Sequence, residues 1–418
     1  MDIGITTGGQ MIVMILTFLL NKVISMRLGP TQYMEYSLIH KTAGVITYVM
    51  ILSLGIAIPR YIAIYRSKKE LNKEFICLTA SFCLVLLSTT IIFFLCLIFK
   101  DDFAKLIFGR ETKYELYVIP TLMLALQMGL TTLLYSYYRG SDRFFMYSVS
   151  QCVVSIGLLL ISIIVNRLIP MVYIMSIIGV IFSILSFWRI WKNYRIKGCT
   201  IEKKTLKAEI KTLARYSIPR VPGEFVLFSF TTVPLIIINQ KIGPEQAVAF
   251  SVSLGIISAI SPFFRYIGMV LLPYASKSIA KDSFKDLDRK MKYLSILYTG
   301  VSLLGIIFVL IFTKFVIVIL YSSEYVQYVE TVRIMIFSLL PNAIYLLLRN
   351  PIDALIKFPI NTVNLIISFL VMNLIIYFSD SIAMYAFSFF IAYTILGILS
   401  WGSWTVLKRR NLNSMKNR

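Results

Sequence analysis

The sequence predicts an all-α integral membrane protein with about twelve transmembrane helices in two parallel six-helix bundles around a central cavity. Three observations predict it. Of 418 residues, 58% are hydrophobic and 15% charged, against about 45–50% and about 25% in soluble domains. A chain of this size still exposes too much surface to hide that excess from water. Apolar runs of about 20 residues, the length that crosses a bilayer, recur from end to end, and the second half of the chain repeats the first at a fixed offset.

Taken in order, the expected spans are 6–26, 37–60, 75–99, 116–138, 144–165, 168–188, 216–239, 248–272, 293–312, 328–348, 358–378 and 382–407. Asn166–Pro170 alone splits the fifth from the sixth, and Ser379–Ser381 the last two. No Lys or Arg precedes the first run, so it lacks the charged start of a secretory signal and reads as a retained span. What remains is too short for a soluble catalytic domain. The expected organisation is an N-terminal bundle over 1–188, a linker over 189–215 and a C-terminal bundle over 216–418.

The net charge is +22, which raises the question of a nucleic-acid partner. The location of the charges answers it. The loops 66–73, 139–143, 189–215, 277–292, 349–357 and the tail 408–418 hold 28 Lys and Arg, and the alternate loops hold 8. By the positive-inside rule both termini and the linker are expected in the cytoplasm. Within the linker, Leu206, Ile210 and Leu213 recur at helical spacing among lysines, which predicts an amphipathic helix on the anionic inner leaflet. Five cysteines without a CxxC pair and a single histidine argue against structural disulfides and His-based metal sites.

The repeat is visible in residues. Leu28-Gly29-Pro30-Thr31-Gln32 answers Ile242-Gly243-Pro244-Glu245-Gln246 at an offset of 214, as Ser37 answers Ser251, Ile46 Ile260 and Pro59 Pro273. Six spans per half bring both halves into the membrane the same way round, the arrangement of parallel repeats.

Ionisable residues inside a bilayer are costly and usually face a wet cavity or a partner. The candidates are Lys22, His40, Lys41, Arg60, Arg220, Glu224, Arg265 and Arg333, and all but Arg333 lie on spans 1, 2, 7 and 8. Lys22, Lys41 and Arg60 also lie where a side chain can snorkel to an interface, and Arg220 and Glu224 are spaced to pair with each other. A cavity lined by these residues is cationic and suits an anionic cargo, because Arg grips phosphate with two parallel hydrogen bonds. Span 7 carries Pro219, Pro222 and Pro234, candidate hinges because proline removes a helical hydrogen bond. No P-loop, dinucleotide fingerprint, HExxH or GxSxG is present, so neither an enzyme nor a cofactor is expected.

The stretch from Arg27-Leu28-Gly29-Pro30-Thr31-Gln32-Tyr33 to Ile58-Pro59-Arg60-Tyr61-Ile62-Ala63 resembles the Wzx-type polysaccharide biosynthesis (O-antigen) flippases, as do Tyr216-Ser217-Ile218-Pro219 and Lys241-Ile242-Gly243-Pro244. These belong to the multidrug/oligosaccharidyl-lipid/polysaccharide exporter (MOP) superfamily, which includes the MATE transporters. The resemblance implies a cargo of undecaprenyl-pyrophosphate-linked oligosaccharide, moved from inner to outer leaflet of a bacterial plasma membrane. It also implies a polysaccharide polymerase and a chain-length regulator as partners. Met34 and Val248 stand where a Gly often follows the Gly-Pro turn. Two alternatives remain open. One is a drug/cation antiporter of the same superfamily, which would want several buried carboxylates. The other is a membrane-embedded glycosyltransferase or polymerase, which would want a large catalytic loop. A lipid II flippase would carry two further spans.

Overall fold

The structure, a computed structural model, describes residues 2–109, 112–280, 284–356 and 359–416. Every regular element in them is helical. The order is α1 (Asp2–Met50), α2 (Leu54–Ser67), α3 (Leu71–Ile98), α4 (Lys100–Ile107), α5 (Val118–Gly140), α6 (Phe144–Ile164), α7 (Leu168–Ile196) and α8 (Lys203–Ser217). Then come α9 (Val221–Lys241), α10 (Pro244–Ala280), α11 (Phe284–Ile311), α12 (Thr313–Leu320), α13 (Val329–Met335), α14 (Leu339–Leu355), α15 (Ile360–Tyr377) and α16 (Ile382–Lys416). Among the described residues eleven helices are long and apolar enough to cross a membrane. Many of their large apolar side chains, such as Leu87, Phe94, Ile164, Leu304 and Phe378, are exposed, as a lipid-facing surface requires.

The first of these helices counts twice. Gly29, with φ 73°, interrupts α1 just before Pro30. Residues before it run beside α6, with Gln10 bonded to Gln151 and Arg27 to Asn166. Residues after it run beside α5, with Tyr117 donating to Glu35 and Thr47 to the Ala125 carbonyl. Both pairings are parallel, while α5 and α6 are joined by a three-residue turn through Asp142 and run opposite ways. The chain therefore reverses at Gly29, and α1 is a hairpin of two spans. The about twelve spans expected are present.

The second span begins at Pro30, not near residue 37. Lys41 thus lies about 16 Å along the helix axis from the turn, deeper than an outer-end position. That span is also broken at Ile51–Ser53, where Leu52 and Ser53 adopt left-handed backbone. Neighbouring helices take up the freed carbonyls. Ser88 of α3 donates to Met50, while Ser136 and Arg139 of α5 donate to Gly55 at 3.2 and 3.3 Å. In the second half α10 runs without interruption from Pro244 to Ala280.

By packing, the chain forms two compact units, residues 1–232 and 233–418. In the first, α5 is the central helix, against α1, α2 and α7. Gly140 allows α2 within reach, because a Cβ there would stand 2.8 Å from the Pro59 Cα. In the second unit α14 is central, against α10, α11 and α16.

The linker does form a helix, α8, but its apolar side is not turned to lipid. Leu213 is fully buried, and Leu206, Ile210 and Ala214 pack on α2 and α3. Glu209 anchors the contact, accepting from Tyr65 Oη at 3.0 and 2.9 Å. The cations Lys203, Lys204, Lys207, Lys211 and Arg215 stay exposed.

The repeat extends beyond the motifs that reveal it in sequence. Each half follows a long helix with a short one (α4, α12) and a 3-10 turn (Thr112–Tyr117, Ser323–Tyr328) before the next long element. Glu74 of α3 accepts from Tyr194 of α7 at 2.8 Å. At the same offset of 214, Asp288 of α11 pairs with Lys408 of α16 at 2.7 Å.

Candidate functional site

Two sequence candidates meet on a residue that the sequence alone did not mark. Arg60, midway along α2, donates to Tyr216 Oη at 2.9 Å, with its Cζ 4.8 Å from the Tyr216 ring centroid. Arg220 places its Cζ 3.8 Å from the same centroid and donates to the Tyr216 carbonyl. Tyr61 meets the ring edge-on at 5.6 Å. The ring thus holds two guanidiniums by cation–π attraction. Both are exposed, and among the described residues neither has a carboxylate partner.

Local sequence explains the arrangement. Tyr216 closes α8, and the docking of α8 brings it to α2. Pro219 and Pro222 lack backbone N–H donors, and between α8 and α9 the chain makes a 3-10 turn, Ile218–Arg220. Arg220, four residues past Tyr216, folds back over it. The spacing that suggested pairing with Glu224 is spent on Tyr216 instead, while Glu224 lies half-buried one turn further on. The four-residue interval between Tyr216 and Arg220 was the available signal.

The other candidates are spread along α1. Lys22 and Lys41 are half-buried and His40 is exposed, its ring 5.7 Å from that of Tyr36. Neither lysine has a carboxylate partner among the described residues. The start of α9 packs here. Thr232 donates to the Lys41 carbonyl at 3.4 Å, and Phe228 stacks on Tyr48 at 3.7 Å. The first unit therefore carries four cations from the candidate set when Arg60 and Arg220 are included, with His40 beside them. The Arg265 side chain lies outside the described residues. Arg333, in the second unit, donates to Thr313 at 3.3 Å and so ties α13 to α12. Pro234 sits inside α9, directly after the residues where the two units divide.

Chemically, two exposed guanidiniums sharing one ring repel each other, and an anion that bridges them relieves that repulsion. Their planar donor forks fit phosphate oxygens two at a time. Among the described residues no group of His, Cys, Asp and Glu is placed to hold a metal ion.

Comparison with solved structures shows the fold. A multidrug resistance MATE family transporter of the MOP superfamily in an inward-facing conformation superposes with a TM-score of 0.80 at 11% identity, over 97% of this chain and 96% of that one. A multidrug resistance MATE family transporter of the MOP superfamily in an outward-facing conformation gives 0.68 at 13% identity, over 100% and 96%. A MOP superfamily transporter from Pyrococcus furiosus, described as having a binding pocket of reverse polarity that suggests a different function, gives 0.69 at 13% identity over 99% and 96%. Comparison with curated proteins returns no match. A family model described as polysaccharide biosynthesis protein matches residues 1–279. On the fold of the MOP-superfamily transporters, the chain belongs to the polysaccharide biosynthesis protein family.

Proposed function

We propose that this protein is a flippase that carries a polyprenyl-pyrophosphate-linked oligosaccharide from the inner to the outer leaflet of a bacterial plasma membrane by alternating access. The observation that carries the reading is the pair of arginines on Tyr216, unpaired by acid among the described residues. A pyrophosphate head is the anionic part of such a cargo, and it offers each guanidinium a pair of oxygens. Lys22 and Lys41 supply further positive charge along α1. A cavity for lipophilic cations would call for the opposite sign, which weighs against the drug/cation antiporter. The distribution of basic residues supports a cytoplasmic side for both termini and α8. A polymerase and a chain-length regulator would take the product on the far side.

The test is deletion in the host with complementation. Loss of surface polysaccharide, with lipid-linked repeat units accumulating on the cytoplasmic side, is expected. Wild type restores export and the Arg60→Ala/Arg220→Ala variant does not. Normal export by that variant at wild-type protein levels, or unchanged polysaccharide with altered sensitivity to cationic drugs on deletion, would refute the proposal.

A further inference from the structure

We propose that the first unit binds an anionic membrane phospholipid on the outer seam between α3 and α7. A groove of about 310 Å³ runs there, lined by Leu78, Phe82, Cys83, Ile184, Phe187 and Trp188 among others. Cys83, Ile184 and Trp188 are exposed, so the groove opens to the surrounding medium, which for a span is lipid. Its walls are almost wholly apolar and suit an acyl chain. Trp191 closes one end, donating from its indole nitrogen to Thr79 Oγ1 at 3.2 Å.

Two cations stand at that same end. Lys192 Nζ lies 5.3 Å from the Trp188 ring. Arg195 Cζ lies 5.6 Å from the Phe75 ring and 5.7 Å from that of Trp191. Arg195 is two helical turns past Trp188, about 10 Å along the axis. Among the described residues neither cation has a carboxylate partner. The order is therefore apolar groove, aromatic collar, then free positive charge, which is the order of chain, interface and headgroup in a bilayer leaflet.

The second unit supplies a comparison. Phe82 and Phe187 answer Ile296 and Trp401 at the repeat offset, and both of those line a groove of about 550 Å³ there. The cations at its corresponding end are only partly neutralised, since Arg409, which answers Arg195 at the same offset, is exposed and has no carboxylate partner among the described residues. Lys408 and Lys292 both approach Asp288, at 2.7 and 4.0 Å. The apolar groove and an arginine beyond its end are thus common to both repeats, and Lys192, which answers Val406, adds a second free charge in the first. The occupant is accordingly a phospholipid with a net negative headgroup. A zwitterionic head would set its own ammonium against Lys192 and Arg195.

The experiment uses the full-length protein in detergent, with equal amounts of phosphatidylglycerol and phosphatidylethanolamine added and bound lipid counted by native mass spectrometry. Wild type is expected to retain phosphatidylglycerol in preference. Lys192→Gln/Arg195→Gln should lose that preference by about tenfold, the equivalent of one charge-assisted hydrogen bond. Lys203→Gln/Lys204→Gln, on the exposed side of α8, should keep it. A second readout does not depend on those variants. In a Trp401→Phe/Trp404→Phe background the remaining emitters are Trp188 and Trp191, and phosphatidylglycerol with brominated chains should quench them more than its phosphatidylethanolamine counterpart. Equal retention of both lipids by wild type, equal loss in both double variants, or equal quenching would overturn the proposal. So would displacement of the bound lipid by equimolar polyprenyl phosphate, which would assign the groove to the cargo's tail.

Discussion

A tyrosine at the end of the linker helix gathers the two arginines that the sequence left a hundred and sixty residues apart. Tyr216 acts through its ring and its hydroxyl, and the two can be separated. Tyr216→Phe removes the bond from Arg60 and should lower flipping in proteoliposomes by about fivefold, the worth of about 1 kcal/mol. Tyr216→Leu removes the platform as well and should match Arg60→Ala or Arg220→Ala, each about tenfold. Arg60→Lys should not rescue, because an ammonium lacks the paired donors. A second residue-scale prediction concerns the break in the second span. Ser53 is buried and left-handed at φ 55°, and its hydroxyl has no hydrogen-bond partner. A left-handed residue other than glycine costs about 1–2 kcal/mol, against a glycine entropy cost of about 0.5–1 kcal/mol. Ser53→Gly should therefore raise the melting temperature in detergent, and a fall would show that the serine holds the break open.

At the scale of the element, α8 is a docked strap whose attachment is expected to depend on pH. Burial pushes the Glu209 carboxyl above its ordinary value of 4.5, partly offset by the bond from Tyr65. A raised carboxyl means that the docked state holds its proton more tightly than the free one. Docking is then favoured at low pH and weakens as pH rises through the shifted value. Limited proteolysis within 203–217 should quicken along that rise, and Glu209→Gln should flatten the dependence. Much of this element was legible in the sequence. The spacing of Leu206, Ile210 and Leu213 gives the helix and its apolar side. Whether that side meets lipid or protein was not legible, because both are apolar and the choice is made by α2 and α3. The Gly29-Pro30 turn was equally legible, since only that backbone demands glycine. The break at Ile51–Ser53 was not. Ile-Leu-Ser is an ordinary apolar run, and its interruption is stabilised by Ser88, Ser136 and Arg139 from other spans. The arginine cluster was half legible: the charges stand out in apolar runs, and the ring between them does not.

For the whole molecule, the distribution of basic residues fixes the expected sidedness. Ser67→Cys and Thr200→Cys, both at exposed positions, should react with an impermeant maleimide only after the membrane is opened. Ser323→Cys, on the alternate side, should react on intact cells, and the reverse pattern would invert the orientation. The duplication also shows how far the two halves have diverged, since the second span is broken between α1 and α2 where α10 is continuous, and Glu74 bonds a tyrosine where Asp288 pairs with a lysine. The reversal at Gly29 has a bearing on biosynthesis. A charged side chain at the centre of a lone span costs about 2.5–3.5 kcal/mol to insert, and the first two spans carry Lys22 and Lys41. Joined with no intervening loop, they are expected to enter the bilayer together as a hairpin rather than as two lone spans, which would lower that cost.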